Sequence, residues 1–458
     1  MSSSSQLDYD FFRILLYRRN GKELLLMHAS DNFALPAVPI PRHSRIAQRI
    51  TEAIRKDWKL HSCCLFPVGD RNSSAYAVEL CGEVTTHPAN MCWLPVDSLA
   101  EKDFSEAQDF HAIDTATKDF DQHRKAANSP FGRLGWIRDI IGWVESKATP
   151  LGVHLTGEFQ QFNASPTFSL IRFETDGPAL WFKAVGDPNL KEYRITRALV
   201  NLFPDFLPRL IASHEIWNAW LTIEAEGHIL AEFISAAGWE KAAFTLASLQ
   251  ISSFGNAAHL IGAGCTDVRA SALRENIDSF FASMTEVMTQ QTKPDPPPLN
   301  QVELTALAKR IREALEELME SEIPNVLGHL DCHPGNIVVS RDKCVFLDWA
   351  EGAIGHPFFT IQYLFEYSRT IHAARTIDQD KILSAYVTPW QGFVDLRQIT
   401  ADLALAPLLA VYAYAISVER HRDRRNAPPE MAAFLRSLTR RMKREADTLQ
   451  NRMAACLS

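Results

Sequence analysis

The chain has 458 residues, too many for one ordinary hydrophobic core, so two or three folding units are expected. Of these residues 46% are hydrophobic and 22% charged, the balance of a soluble globular protein with ample apolar side chains to bury. The 47 Lys and Arg against 55 Asp and Glu leave a formal charge of -8, which gives no global basic surface for nucleic acid. Eight cysteines form neither a CxxC pair nor a Cys/His cluster with zinc spacing, so they read as reduced thiols of a cytoplasmic protein. The N-terminus, MSSSSQLDYD, has no apolar signal core behind a basic patch. The longest apolar stretch, Leu403 to Ile416, is interrupted by Pro407 and reads as a buried helix rather than a membrane span.

In chain order, a first segment of residues 8–145 opens with the apolar runs Phe11 to Tyr17 and Glu23 to Met27. The turn chemistry of Arg18 to Lys22 between them predicts a hairpin. Helical spacing follows in Ile46, Ile50, Ala53, Ile54 and Trp58, and again in Trp136, Ile140, Ile141 and Val144. The polar stretch Ser146 to Pro150 predicts a linker. A second segment, residues 151–225, is strand-rich, with runs at Phe168 to Phe173, Ala179 to Val185 and Trp220 to Glu224. One helix interrupts it, carrying Tyr193, Ile195, Leu199 and Val200 until Pro204 ends it. The third segment, residues 226–458, is mostly helical. Leu304, Leu307, Ile311, Leu315 and Leu318 mark one face of a helix within it.

The chemistry concentrates in Gly328-His329-Leu330-Asp331-Cys332-His333-Pro334-Gly335-Asn336. A strand from Ile337 to Ser340, a turn at Arg341 to Lys343, a strand from Cys344 to Leu347 and then Asp348-Trp349 follow. A short loop thus presents Asp331 and Asn336, and a tight hairpin returns Asp348 to the same end of the strands. Phosphoryl transfer asks for these parts: a carboxylate to accept the proton of the attacking hydroxyl, and a second carboxylate with an amide oxygen to hold magnesium. The spacing matches the kinase pattern of His-x-Asp, four residues and Asn, then Asp beyond a hairpin.

That stretch resembles the HGDLHPGN…DW signature of the aminoglycoside phosphotransferase and choline kinase superfamily, over roughly residues 151–458. The resemblance implies an α+β chain with a bilobal protein-kinase-like fold, its N-lobe at 151–225 and its helical C-lobe at 226–458. It implies ATP or GTP with Mg2+ as cofactors, Asp331 as catalytic base, and Asn336 and Asp348 as metal ligands. His329 and His333 are expected to brace the loop. The family also needs a strand lysine that contacts nucleotide phosphates and pairs with a helix glutamate. Lys183 fits, with Glu192 as its partner, although Glu158, Glu174 and Asp187 compete. Ser165 and Thr167 stand in a glycine-free turn over the phosphates, and Glu224-Ala225 stand at the adenine-binding hinge. Where the family continues Gly-Asp-Pro and a further Asp, this chain has Gly355-His356-Pro357 and Thr360, a departure at positions that brace helices.

Residues 8–145 resemble a Nudix domain loosely, through Leu35-Pro36, the helix around Thr51 to Lys56, and Cys92-Trp93-Leu94-Pro95. This predicts a smaller α/β accessory domain, for covering substrate or for forming a homodimer. Arg55 and Lys56 stand where Nudix chemistry needs paired acids, which argues against metal-dependent hydrolysis. The expected activity is transfer of a nucleotide γ-phosphate to a hydroxyl of a small molecule; the alternative is an inactive kinase-like binding module. Neither nucleic acid nor membrane is expected as a partner. Residues 361–458 hold 14 Lys and Arg against 10 Asp and Glu, which favours a neutral or anionic acceptor over a polycation, with a choline-like monocation as the weaker option that the aromatics Tyr363, Phe365, Tyr367 and Trp390 leave open.

Overall fold

The computed structural model describes residues 8–69, 73–82, 88–125, 130–165, 167–233, 235–371, 377–420 and 429–457. They belong to two compact units, one reaching Tyr193 and including Arg209–Glu224, the other made of Arg194–Pro208 and Ala225 onward.

The first unit opens with the expected hairpin, β1 (Tyr9–Arg18) and β2 (Glu23–Ala29). Its turn carries Arg19, Asn20 and Gly21 at φ of 51°, 56° and 83°, a left-handed run that Asn and Gly accept at little cost. β3 (Asn32–Ala34) pairs with β2, and β4 (Ala37–Pro41) pairs antiparallel with β1. α1 (Ile46–Ala53) runs on as a π-helical turn to Trp58 and stops at Lys59, φ 59°. β5 (Ser62–Pro67) and β6 (Ala75–Leu80) follow; β6 lies parallel to β1, and β7 (Met91–Pro95) closes on β2. Sequence reading misses β5 and β6 because nearly every residue in them is buried, so the alternation that marks a half-exposed strand is absent.

α2 (Ala107–Lys125) and α3 (Trp136–Ala148) complete this part. The linker expected at Ser146 to Pro150 is instead the end of α3 and a 3-10 turn, Thr149–Leu151. The reason is packing. Trp136, Ile137, Ile140, Val144 and Ala148 form one buried face of α3, in a common core with Phe159, Ile171, Phe182 and Leu221. Those partners belong to an antiparallel sheet of β8 (Leu155–Ser165), β9 (Phe168–Thr175), β10 (Leu180–Val185), β11 (Leu210–His214) and β12 (Ala219–Ile223), in the order β11-β12-β10-β9-β8. Segments 8–145 and 151–225, expected as separate bodies, therefore share a core. Gln161 on β8 adds a polar tie, its amide accepting from Cys64 N–H at 2.8 Å and donating to Cys64 O at 2.9 Å.

α4 (Leu190–Leu202) starts in the first unit and continues into the second, where Ile195 and Leu199 join a core with Trp239 and Phe358. The chain crosses again between Glu224 and Ala225. The second unit then builds β13 (His228–Ile229), α5 (Ala236–Ser252), α6 (Ala257–Ala263), β14 (Thr266–Val268), α7 (Ala270–Glu275), α8 (Ile277–Thr289) and α9 (Gln301–Met319). On α9 the expected face of Leu304, Leu307, Ile311, Leu315 and Leu318 is buried, and Asn300 with Glu303 closes a capping box at its start.

β15 (Val326–His329), β16 (Ile337–Val339), β17 (Cys344–Phe346) and β18 (Gly352–Gly355) carry the motif. The small sheets are β13-β16-β17 and β14-β18-β15. α10 (Phe358–Ile371), α11 (Gln379–Trp390), α12 (Leu396–Arg420) and α13 (Pro429–Leu457) end the chain. Pro407 lies inside α12 rather than interrupting it. Leu396–Val418 is long and apolar enough to cross a membrane by length and composition, but 67% of its most apolar window is buried in the unit, as in a core helix.

Candidate active site

The second unit presents Asp331 and Asn336 on a loop whose shape is set by its own backbone. β15 ends at His329, and the loop doubles back through His333 N–H to Asp331 O at 2.7 Å and Asn336 N–H to His333 O at 2.8 Å. Pro334 starts a 3-10 turn over Pro334–Asn336, with its fixed φ suited to that position. The Gly335 N–H bonds to His333 Nδ1 at 2.8 Å, and a Cβ at Gly335 would lie 2.8 Å from the same nitrogen. Any larger residue there would have to push the His333 ring aside. Asn336 Nδ2 donates to Asp331 O at 3.4 Å, which turns its amide oxygen away from the loop.

The β16–β17 hairpin pairs Ile337 with Phe346 and Val339 with Cys344, and Lys241 donates to Ser340 O at 2.9 Å at its turn. At the open end Leu347 N–H bonds to Asn336 O at 2.8 Å, which sets Asp348 next beyond Asn336. The buried His329 ring completes the arrangement. Its Nδ1 accepts Asp331 N–H at 3.2 Å, so Nε2 carries the proton and bonds to Leu347 O at 3.1 Å. One imidazole thus ties the residue of the expected base to the residue before Asp348. Asp348 itself has φ 59° and ψ 64°, a left-handed backbone that costs a non-glycine residue roughly 1–3 kcal/mol and concentrates at functional sites.

The departure at Gly355-His356-Pro357 has its own solution. His356 Nε2 meets Asp402 Oδ2 at 3.1 Å, and both side chains are buried. Gln398 donates to Asp402 Oδ1 at 2.7 Å, and Ser321 also bonds to this carboxylate. The acid absent from the loop comes from α12, with the imidazole taking the loop position. Thr360 Oγ1 accepts His329 N–H at 3.1 Å. Neither Asp402 nor its pairing is visible in sequence, because a long-range partner leaves no spacing signal.

Burial holds the pKa values of His329 and His356 below the ordinary imidazole value, against the carboxylates around them; burial also lowers His61 and His214. The unfolded chain therefore binds more protons than the folded one as pH falls below about 6.5, and stability must decline there. The expected cost is on the order of 1 kcal/mol for each imidazole displaced by one pH unit. Denaturant midpoints of the full chain at pH 7.5 and 5.5 check this, and equal midpoints would refute it.

In the first unit, Lys183 Nζ lies 2.5 Å from Glu192 Oε1, with side chains only 13% and 4% exposed. The rings of Phe168 and Trp220 flank the ammonium at 5.4 and 5.7 Å. Two of the competing acids are engaged elsewhere, Glu158 with Arg55 at 2.5 Å and Glu174 with Arg172. Ser165 and Thr167 sit at the β8–β9 turn, where Ser165 Oγ accepts Thr167 N–H at 3.2 Å. That N–H is satisfied within the turn; Pro166 lies outside the described residues. The Glu224 carboxylate is held by Arg172 at 2.6 and 2.9 Å and by Trp181 Nε1 at 3.0 Å, and the Arg172 bonds keep its pKa low. Its side chain braces β9 and β10, and its own N–H bonds to Ala179 O at 2.9 Å; Ala225 opens the second unit. A groove of about 340 Å3 between α1 and β8 is lined by Glu52, Arg55, Ser62, Glu158 and Glu174 among others. Its charges are paired, Glu52 with Arg49 at 2.8 Å and the rest as above.

The loop and hairpin of the second unit, and the buried lysine–glutamate pair of the first, are each of a kind found in phosphotransferases of protein-kinase-like fold. Residues 190–390 match the family model described as "Phosphotransferase enzyme family" (APH). Over those residues, somewhat less than half of its length, the chain is similar to that family. Among solved structures, the choline kinase of Cryptosporidium parvum Iowa II aligns at TM-score 0.47 and 13% identity, over 70% of this chain and 96% of that one. An ethanolamine kinase of Plasmodium vivax aligns at 0.45 and 16%, over 67% and 85%. The macrolide 2'-phosphotransferase MphH of Brachybacterium faecium aligns at 0.41 and 16%, over 66% and 97%. Likeness at this level says nothing about the acceptor. Among curated proteins no match was found.

Proposed function

We propose that the chain transfers the γ-phosphoryl group of ATP or GTP to a hydroxyl of a small molecule, with Mg2+. The observation that carries this reading is the coupling of Asp331, Asn336 and Asp348 through His329 and the Asn336–Leu347 backbone bond. As the acceptor oxygen bonds to the γ-phosphorus and the bond to the β-phosphate oxygen breaks, the hydroxyl proton passes to the Asp331 carboxylate and a nucleoside diphosphate leaves.

The donor set suits magnesium. An amide oxygen on Asn336 and a carboxylate on Asp348 are hard oxygen ligands, and too few to cage an ion without phosphates and water. Among the described residues no group of three or more His, Cys, Asp or Glu could hold a metal by itself. When bound, the ion would neutralise charge on the nucleotide phosphates. Lys183, oriented by Glu192, is assigned to those phosphates, Ser165 and Thr167 to the cover over them, and the backbone of Glu224 and Ala225 to the base. The excess of basic over acidic residues in 361–458 supports a neutral or anionic acceptor, although part of it, Arg422 to Arg425, lies outside the described residues. Among the described residues seven cysteines stand outside any disulfide, in keeping with a reducing, cytoplasmic setting.

Asp348→Ala should weaken MgATP binding at least about tenfold, since one of two protein ligands is lost. Calorimetry of the full chain checks this, and unchanged MgATP affinity would remove Asp348 from the metal site. A panel of hydroxylated metabolites and antibiotics, assayed for nucleoside diphosphate release, identifies the acceptor. Saturable turnover of kanamycin above about 10⁴ M⁻¹s⁻¹ would contradict the charge argument.

A further inference from the structure

The backbone of Asp331 is fixed on both sides, its N–H by His329 and its C=O by His333 and Asn336. The side chain is another matter. A carboxylate has two oxygens and a free torsion, and a base works only when one oxygen faces the proton it is to receive. Among the described residues the hydrogen bond that reaches this carboxylate comes from another element: the Tyr367 hydroxyl, on α10, donates to Asp331 Oδ1 at 3.1 Å. Tyr367 is itself held. Its ring meets the His333 ring edge-on at 4.4 Å and 71°. His333 in turn is locked by the Gly335 N–H. One turn back on α10, Tyr363 donates to Ala410 O at 2.7 Å and anchors the helix to α12.

We propose that Tyr367 is a positioning residue for Asp331, occupying Oδ1 and so reserving Oδ2 for the proton of the acceptor hydroxyl. This rests on Asp331 being the base of the proposed transfer. A phenol suits the task because its proton stays put. Burial, with the Asp331 carboxylate adding to it, pushes the Tyr367 pKa upward, so the hydroxyl keeps its proton around neutral pH. The ring cannot rotate away without breaking its contact with His333, so Oδ1 is held by a donor on a helix rather than by mobile solvent.

The test uses the full chain with MgATP, following ADP release with water as acceptor and with any hydroxylated compound that the panel yields. Tyr367→Phe keeps the ring against His333 and removes only the hydroxyl. Its kcat should fall roughly 10- to 100-fold, the worth of a hydrogen bond to a charged group, with KM for MgATP changed less than about twofold. In an Asp331→Asn background the same substitution should cost nothing further, because a residue acting through Asp331 has nothing left to act on. Wild-type kcat in Tyr367→Phe, a rise in KM alone, or an undiminished loss on top of Asp331→Asn would each overturn the proposal. If Asp331→Asn retains full activity, or the unsubstituted chain releases no ADP under any condition, the reading of the base fails and the proposal with it. An inactive Asp331→Asn beside a normal Tyr367→Phe sinks the positioning role alone.

Discussion

Asp331→Asn is expected to lower turnover by about 10²- to 10⁴-fold while leaving MgATP affinity within about twofold. The substitution keeps size and shape, and the backbone bonds from Asp331 to His329 and His333 do not involve the side chain. The loop should therefore hold its form and Asn336 its place. What disappears is the capacity to take a proton, together with a negative oxygen for the Tyr367 hydroxyl. The loss must appear in kcat and kcat/KM alike, because the interaction removed is one made as the acceptor hydroxyl loses its proton. Steady-state kinetics with calorimetry of MgATP separates the two quantities. Near-normal turnover would remove Asp331 from the chemistry, and a large loss of nucleotide affinity would make it a metal ligand instead.

Glu192→Ala should destabilise the first unit by about 3–5 kcal/mol and weaken nucleotide binding. Lys183 emerges from a strand between Phe182 and Ala184, both fully buried, and its ammonium is close to dry. An ammonium in such a place is costly, and removing this carboxylate takes away a buried opposite charge that offsets the cost. The flanking rings of Phe168 and Trp220 offset only a part, since a cation–π contact contributes about 0.5–2 kcal/mol. Removing both charges, as in Lys183→Met with Glu192→Leu, should restore most of the stability while nucleotide affinity stays low. That split distinguishes a pair kept for function from one kept for folding. Denaturant midpoints of the single and double variants provide the check, and a Glu192→Ala chain as stable as the original would show that Lys183 is not dependent on its partner.

Local patterns carried a good part of the fold into the sequence. The α9 face is legible because helical burial repeats every three or four residues, and the first hairpin because its turn needs Asn and Gly. The strands β5 and β6 are not, since full burial erases alternation. Ser146 to Pro150 misleads for a related reason: polar residues suit an exposed helix end as well as they suit a linker, and what decides is the apolar face that α3 sets against β8, β9, β10 and β12.

The order of the motif residues was determined by sequence alone. Asp331, Asn336 and Asp348 lie within 18 positions, and a loop and a two-strand hairpin are short-range structures that their own turn residues specify. Lys183 is visible by the same logic, as a charge inside an apolar strand. Its partner is not: four acids are near in sequence, and only packing of α4 against β10 selects Glu192. Tyr367, 36 positions from Asp331, and Asp402, 46 from His356, are further from reach. A single long-range hydrogen bond leaves no period, spacing or composition behind it. Tertiary structure decides such contacts because they depend on where whole helices come to rest, which is set by the burial of dozens of apolar side chains rather than by the two residues that meet.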